Sequence, residues 1–192
     1  MNNLTEKFRH YRKVISSRPF LNKEALGGEI PFFIAAYDAK EELICQEEIK
    51  MLSKKLEADG IKVLEINLFD LSCQLLEEQL GMDKVFKIEQ RRPKDKFLKA
   101  LQSSLNIHEV LMPAIEEQIK AAKAQVYFIT GIGLAYPIIR SHNVLNNLQN
   151  IAKDAPTVLF FPGIYNNKSL NLFALMKDDN YYRAYPLDSV SL

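Results

Sequence analysis

The chain opens on a helical stripe. Leu4, Phe8, Tyr11 and Ile15 recur at spacings of four, three and four, which keeps them on one helix face. The pattern predicts a basic N-terminal helix over residues 3–18, ended by Pro19, because a residue before proline is pushed out of the helical region. Residues 31–37, PFFIAAY, show no polar alternation at all. A short continuous apolar run suits a strand buried on both faces of a parallel sheet. From Lys40 to Asp59 the helical period returns through Leu43, Ile44, Ile49, Leu52 and Leu56, and Gly60 comes next as the closing residue. KVLEINLF, residues 62–69, then predicts a second strand, and residues 71–80 a helix with Asp70 as its N-cap. This succession is the signature of βαβ units.

Between Gly81 and Ala124 no strand pattern exists, only two or three helical stretches, broken at Pro93 and ending in a helix over 108–123. AQVYFITG and PTVLFFPG predict two further strands, with a helix over 137–152 between them. In SLNLFALMKDDNYYRAYPL a final hairpin turning at Asp178-Asp179-Asn180 competes with a short helix over 169–176. The expected fold is α/β. A mostly parallel open sheet carries flanking helices, Rossmann-like or P-loop-like without a phosphate loop. A helical insertion at about 81–123 and a C-terminal hairpin complete it, and residues 1–192 read as a single domain.

Composition narrows the function classes. Lys plus Arg number 25 and Asp plus Glu 24, a net charge of +1, so no whole-chain field draws the protein to DNA or anionic lipid. The two cysteines, Cys45 and Cys73, make neither a disulfide framework nor a cysteine metal site; both lie in predicted helices and read as buried, inert thiols. No apolar run reaches the roughly 18 residues of a membrane span. MNNLTEKFRHYRKV lacks the apolar core of a signal peptide, and a cytoplasmic location is expected. Basic residues do crowd two segments, Lys7–Arg18 and Lys84–Lys99, and from Asp83 to Lys99 seven cations stand against three acids. These are either solvated helix faces or phosphate contacts for nucleic acid.

Candidate chemistry is sought beyond the carboxyl ends of the strands, where α/β sheets bind ligands. After the first strand, YDAKEE replaces the glycine-rich loop that would cradle a phosphate, and Asp38, Glu41 and Glu42 would repel one. The densest polar cluster comes after the third strand, in TGIGLAYPIIRSHNVLNNL. Gly131 and Gly133 permit a tight turn, Pro137 suits a helix's first turn, and Arg140, Ser141, His142 and Asn143 come near the helix amino end. An arginine with free N–H groups there could hold a partner's carboxylate or phosphate. His142 reads most simply as a hydrogen-bonded, half-buried side chain; the chemical alternative is a catalytic base. No histidine pair has metal-ligand spacing, and no cofactor is expected. Tyr165 comes after the fourth strand, and Tyr181, Tyr182 and Arg183 stand in the tail. Such aromatic–arginine groups serve either as interface hot spots or as a polar-tipped sheet edge.

PFFIAAYD with its acidic helix, KVLEINLFDL, TGIGLAYPIIRSHNVLNNL, LFFPGIY and DNYYRAYPL occur in that order over residues 5–188. Together they resemble the BrxB family of BREX bacteriophage-defence systems; residues 81–106 carry no recognisable part of it. The resemblance implies a small core component of a defence locus that also encodes an adenine-specific DNA methyltransferase, a PglZ-type protein and a BrxC-type ATPase. It implies no catalytic residues. The expected role is a non-catalytic adaptor without membrane contact and with direct DNA contact weak or absent. The PglZ-type protein is the first expected partner, then the BrxC-type ATPase and the methyltransferase. Tyr136, Arg140, His142, Asn143, Tyr165, Tyr181, Tyr182 and Arg183 are the candidate partner-binding residues. The alternatives are an enzyme acting on a small or nucleotide-related ligand at the Gly131–Asn143 turn, and a nucleic-acid subunit using the basic helices.

Overall fold

The structure is a computed structural model that describes residues 3–24, 31–177 and 184–191. The apolar runs form β1 (Phe32–Tyr37), β2 (Val63–Asn67), β3 (Val126–Thr130) and β4 (Thr157–Tyr165), then the short β5 (Leu170–Leu172), β6 (Met176–Lys177) and β7 (Tyr185–Pro186). The strand order β2-β3-β4-β1-β7 is parallel throughout, and β5 and β6 extend β4 in antiparallel fashion. The mostly parallel α/β architecture read from the pattern is therefore the one observed.

Strand alternation deals the apolar residues to two faces. On β1, Phe32 and Ile34 enter one core while Phe33, Ala35 and Tyr37 enter the other. The second core lies under α1 (Asn3–Ile15) and α3 (Glu42–Ala58), with the short α2 (Arg18–Leu21) contributing Phe20. There Phe160 stacks on Phe8 (5.9 Å) and meets Phe128 edge-on (5.2 Å). The first core lies under α4 (Leu68–Leu80), α7 (Met112–Ala122) and α9 (Ser141–Ile151), whose Leu71, Ile115, Ile119 and Leu148 cover Ile66, Tyr127 and Ile129.

The expected insertion over 81–123 divides into two parts with different roles. α7 covers the sheet directly. In contrast α5 (Met82–Arg91) and α6 (Lys94–Ser104) stand beside α4 around a satellite cluster of Leu76, Val85, Leu101 and Leu105, sealed by Ile138.

Several boundaries differ from the sequence expectation, each for a local reason. Pro19 does not end the first helix. α1 stops at Ile15, and Ser17 caps α2 with Pro19 in its first turn, where no N–H is missed. The second strand ends at Asn67, not residue 69, because the Asn67 side chain accepts the Phe69 and Asp70 N–H groups (3.0 and 3.2 Å) and starts α4 at once. Asp70 is therefore not the N-cap. The helix expected over 137–152 begins only at Ser141. Tyr136, before a proline, is extended at ψ 139, and so is Arg140 at ψ 136. The short α8 (Ile132–Ala135) precedes this irregular stretch, and the Tyr136–Pro137 bond is cis.

At the tail, Asn166 accepts the Lys168 and Ser169 N–H groups (3.1 and 2.7 Å) and reverses the chain into β5. The described hairpin turns at residues 173–175, between β5 and β6, and the alternative helix over 169–176 does not form. The turn expected at 178–180 lies outside the described residues.

Candidate functional site

The carboxyl ends of β1 to β4 share one edge of the sheet, and the residues just beyond each strand decide the chemistry of this edge. After β1 the residues are spent internally. Asp38 accepts the Lys40 N–H (3.0 Å), and Glu42 accepts the Tyr37 hydroxyl (2.7 Å). After β2, Asn67 caps α4 and leaves Phe69 and Asp70 exposed. After β3, Gly131 turns the chain at φ 73°; a side chain there would collide with Asn67 Oδ1, so the glycine lets α8 approach the α4 amino end. Gly133 likewise lies against Pro162 and Phe173, tying α8 to the end of β4.

This close packing leaves large apolar side chains outside. Phe69 is 37% exposed, Leu134 48%, Ile164 54% and Leu175 84%. They stand on the segments after β2 and β3, at the projecting end of β4 and in the β5–β6 turn. That turn is held to the same edge by the Phe173 N–H bonded to the Pro162 carbonyl (2.8 Å). Sequence reasoning missed all four, since an apolar residue inside an apolar segment carries no signal of exposure.

Beside α8 a cleft of about 390 Å³ opens between the satellite helices and the start of α9. Gln102, Asn106 and Ile107 form one wall, and Arg140, His142 and Asn143 the other. The π-helical turn Ile107–Leu111 begins at that wall, its backbone capped by Asn106 Oδ1, while Gln102 Nε2 donates to the Pro137 carbonyl (3.1 Å). The structure thus brings Arg140, His142 and Asn143 together. Arg140 is exposed at the N-cap position, where its side chain makes no capping bond, and His142 is half-buried. A cation at the amino end of α9 suits an anionic group, because the positive end of the helix dipole adds the same polarity.

The other candidates lie apart from this cleft. Tyr136 meets Phe173 edge-on (6.3 Å) at the border of the core. The Tyr165 hydroxyl donates to the Ala184 carbonyl (2.6 Å), pinning the tail segment. Tyr181, Tyr182 and Arg183 lie outside the described residues. Cys45 is buried, whereas Cys73 is only half-buried, contrary to expectation. Burial pushes both thiols up, aided by the carboxylates of Glu42, Glu41 and Glu48 at Cys45 and of Asp70 at Cys73. Among the described residues no group of three or more His, Cys, Asp or Glu side chains could hold a metal ion. No helix of the described residues is long and apolar enough to cross a membrane.

Comparison with known proteins supplies the lineage. The family model "BREX protein BrxB" matches residues 64–187. A BREX protein BrxB of Bacillus cereus (strain H3081.97) is 34% identical over 191 residues, spanning 97% of this chain and 98% of that protein. The chain belongs to the BrxB family. A second family member, the BREX protein BrxB of Escherichia coli O9:H4 (strain HS), is 30% identical over 173 residues, covering 90% of this chain and 86% of its own length. This BrxB-family chain is a component of a BREX system, and the resemblance read from its ordered segments is correct. The family match begins inside β2 and takes in the exposed apolar residues and the Arg140 cleft together. No solved structure matches the chain.

Proposed function

We propose that this BrxB-family protein is a non-catalytic adaptor of a phage-defence complex, cytoplasmic like the DNA it protects. Its carboxyl-edge surface binds a larger protein of the same locus, the PglZ-type protein first. The observation that carries the reading is the exposure of Phe69, Leu134, Ile164 and Leu175 along the sheet edge where an α/β enzyme would place its pocket. Apolar side chains there, flanked by an arginine-bearing cleft, have the make-up of an interface: an apolar centre with a polar, charged rim. The residues after β1 also favour it, since their carboxylates are committed to capping and to Tyr37 rather than to a ligand.

The test is affinity purification of the tagged chain from cells carrying its neighbouring genes, beside Leu134→Asp and Arg140→Glu variants. Stoichiometric recovery of the PglZ-type protein that survives nuclease and moderate salt, and that falls away in Leu134→Asp, supports the reading. Recovery of the chain alone, or equal recovery by every variant, overturns it.

A second reading rests on the cleft itself, which is roomy enough for a small anion-bearing ligand and has His142 in its wall. Saturable binding of inorganic phosphate or a nucleotide by the free protein, lost in His142→Ala and Arg140→Ala, would favour it over the adaptor.

A further inference from the structure

Strand β2 is the outer strand of the sheet, with β3 on one side and no described strand on the other. The Val126 N–H bonds the Lys62 carbonyl (3.3 Å) whereas the Tyr127 N–H bonds the Pro156 carbonyl (2.9 Å), so successive β3 residues serve β2 and then the β4 side. The same alternation turns Lys62, Leu64 and Ile66 toward β3. It leaves the backbone N–H and C=O groups of Val63 and Glu65 aimed out of the sheet. Such a row of open groups is a template for another strand unless proline, a bulge or a covering element blocks it. β2 contains no proline. Among the described residues no strand covers it, and an open groove of about 450 Å³ runs beside it, between Lys50 of α3, Glu65 and Asn67 of β2, Asp70 and Gln74 of α4, and Gln118 of α7.

The groove states what it would accept. On the face covered by α4 and α7, β2 presents Leu64 and Ile66, both packed on the apolar core. On the α3 face it presents Glu65, exposed and, among the described residues, accepting the Thr130 hydroxyl (2.9 Å). Asp70 adds a second exposed carboxylate, while Lys50, the one cation of the lining, is held by Glu47 at 2.8 Å. We propose that the β2 edge docks an extended segment of a partner protein as an added strand. That segment alternates apolar residues, set beside Leu64 and Ile66, with Lys or Arg set beside Glu65. A second copy of this chain does not fit: antiparallel pairing over the full length of β2 is centred on Glu65 and sets it against its own copy. The site follows the outer strand β2, meets the carboxyl edge only at Asn67 and Asp70, and does not depend on the adaptor reading.

The test uses two short synthetic peptides, one alternating Val and Thr with Lys, the other identical but with Glu for Lys. Each is titrated against the full chain by fluorescence anisotropy, with amide exchange read by NMR. The Lys peptide is expected to bind and to slow exchange at Val63 and Glu65, and the Glu peptide is not. Glu65→Lys is expected to weaken the Lys peptide about tenfold and to gain the Glu peptide, as opposite charges across a strand pair require. Glu65→Pro removes an outward N–H without removing a bond to β3 and is expected to bind neither peptide. If Glu65→Pro unfolds, the exchange of charge preference decides alone. No binding, equal binding of both peptides, protection away from β2, or dimerisation of the free chain through β2 would each overturn the proposal.

Discussion

Thr157 begins β4 fully buried, and its hydroxyl has no hydrogen-bond partner among the described residues. A hydroxyl removed from water without a partner costs about 1–3 kcal/mol, whereas the isosteric methyl of valine fits an apolar site. Thr157→Val is therefore expected to raise stability by about 1 kcal/mol, seen as a higher urea midpoint with an unchanged slope. Two tyrosines make the opposite case of a buried hydroxyl that is paired. Tyr37 donates to Glu42 and Tyr11 to Asp188 (2.7 and 2.8 Å), and burial first, then the neighbouring carboxylate, holds each phenol protonated far above the ordinary tyrosine range. Above about pH 10 the unfolded chain releases these protons while the folded chain keeps them. The folded state then binds more protons, so this contribution is intact below pH 10 and stability falls as pH rises beyond it. Tyr37→Phe removes one such proton and is expected to reduce the loss of stability between pH 10 and 11 by about 1 kcal/mol, read from urea midpoints at the two pH values. Identical pH slopes in the two proteins would refute it.

The start of α4 shows what an element takes from its first residues. Asn67 accepts two backbone N–H groups, whereas Asp70 stands exposed in the first turn, near the positive end of the helix dipole, and caps no N–H. Asn67→Ala is expected to cost about 1 kcal/mol and Asp70→Ala less, and thermal melts of the two variants check the order. Spacing could not separate the two residues, because both types cap helices and both precede an apolar stripe. β1 to β4, α1 and α3 were legible because their period or continuous apolarity is written within a single segment. β5, β6 and β7 run to three residues or fewer, too short for any period, and their pairing is decided by partners distant in the chain. The same contrast divides the site. Arg140, His142 and Asn143 were legible as neighbours in a polar cluster, and the cleft brings them together. The opposite wall, Gln102 and Asn106, comes from α6 and the turn after it, where no local pattern announces a meeting with α9. Nothing in the local pattern marks Phe69, Leu134, Ile164 and Leu175 as exposed, and only the packing of α8 against Pro162 and Phe173 shows them left outside.

At the scale of the whole molecule, the carboxyl edge, with four exposed large apolar side chains, and the satellite helices, with seven exposed cations, are the two surfaces that separate a protein partner from a nucleic acid. On α1, Lys7 is engaged by Asp188 (3.1 Å) and Arg12 by Asp59 (2.8 Å), while Arg9 and Lys13 of the same helix are exposed. The seven cations between Lys84 and Lys99 are all exposed, on a satellite helix pair outside both sheet cores. Of the exposed large apolar side chains, Phe69, Leu134, Ile164 and Leu175 gather at the carboxyl edge, while Leu43, Ile44 and Met51 stand on α3 and Phe86 on α5. If the protein works by docking that edge, hydrogen exchange in the purified complex will slow around Phe69, Leu134 and Leu175 and stay unchanged in α5 and α6. Arg91→Glu with Arg92→Glu will then leave partner recovery intact. Any DNA association made by the satellite pair rests on phosphate contacts alone and should fall by about 10³-fold or more between roughly 50 and 200 mM salt. Protection appearing on α5 and α6, with partner recovery lost in the Arg91–Arg92 variant, would shift the binding surface to the satellite helices and reverse this assignment.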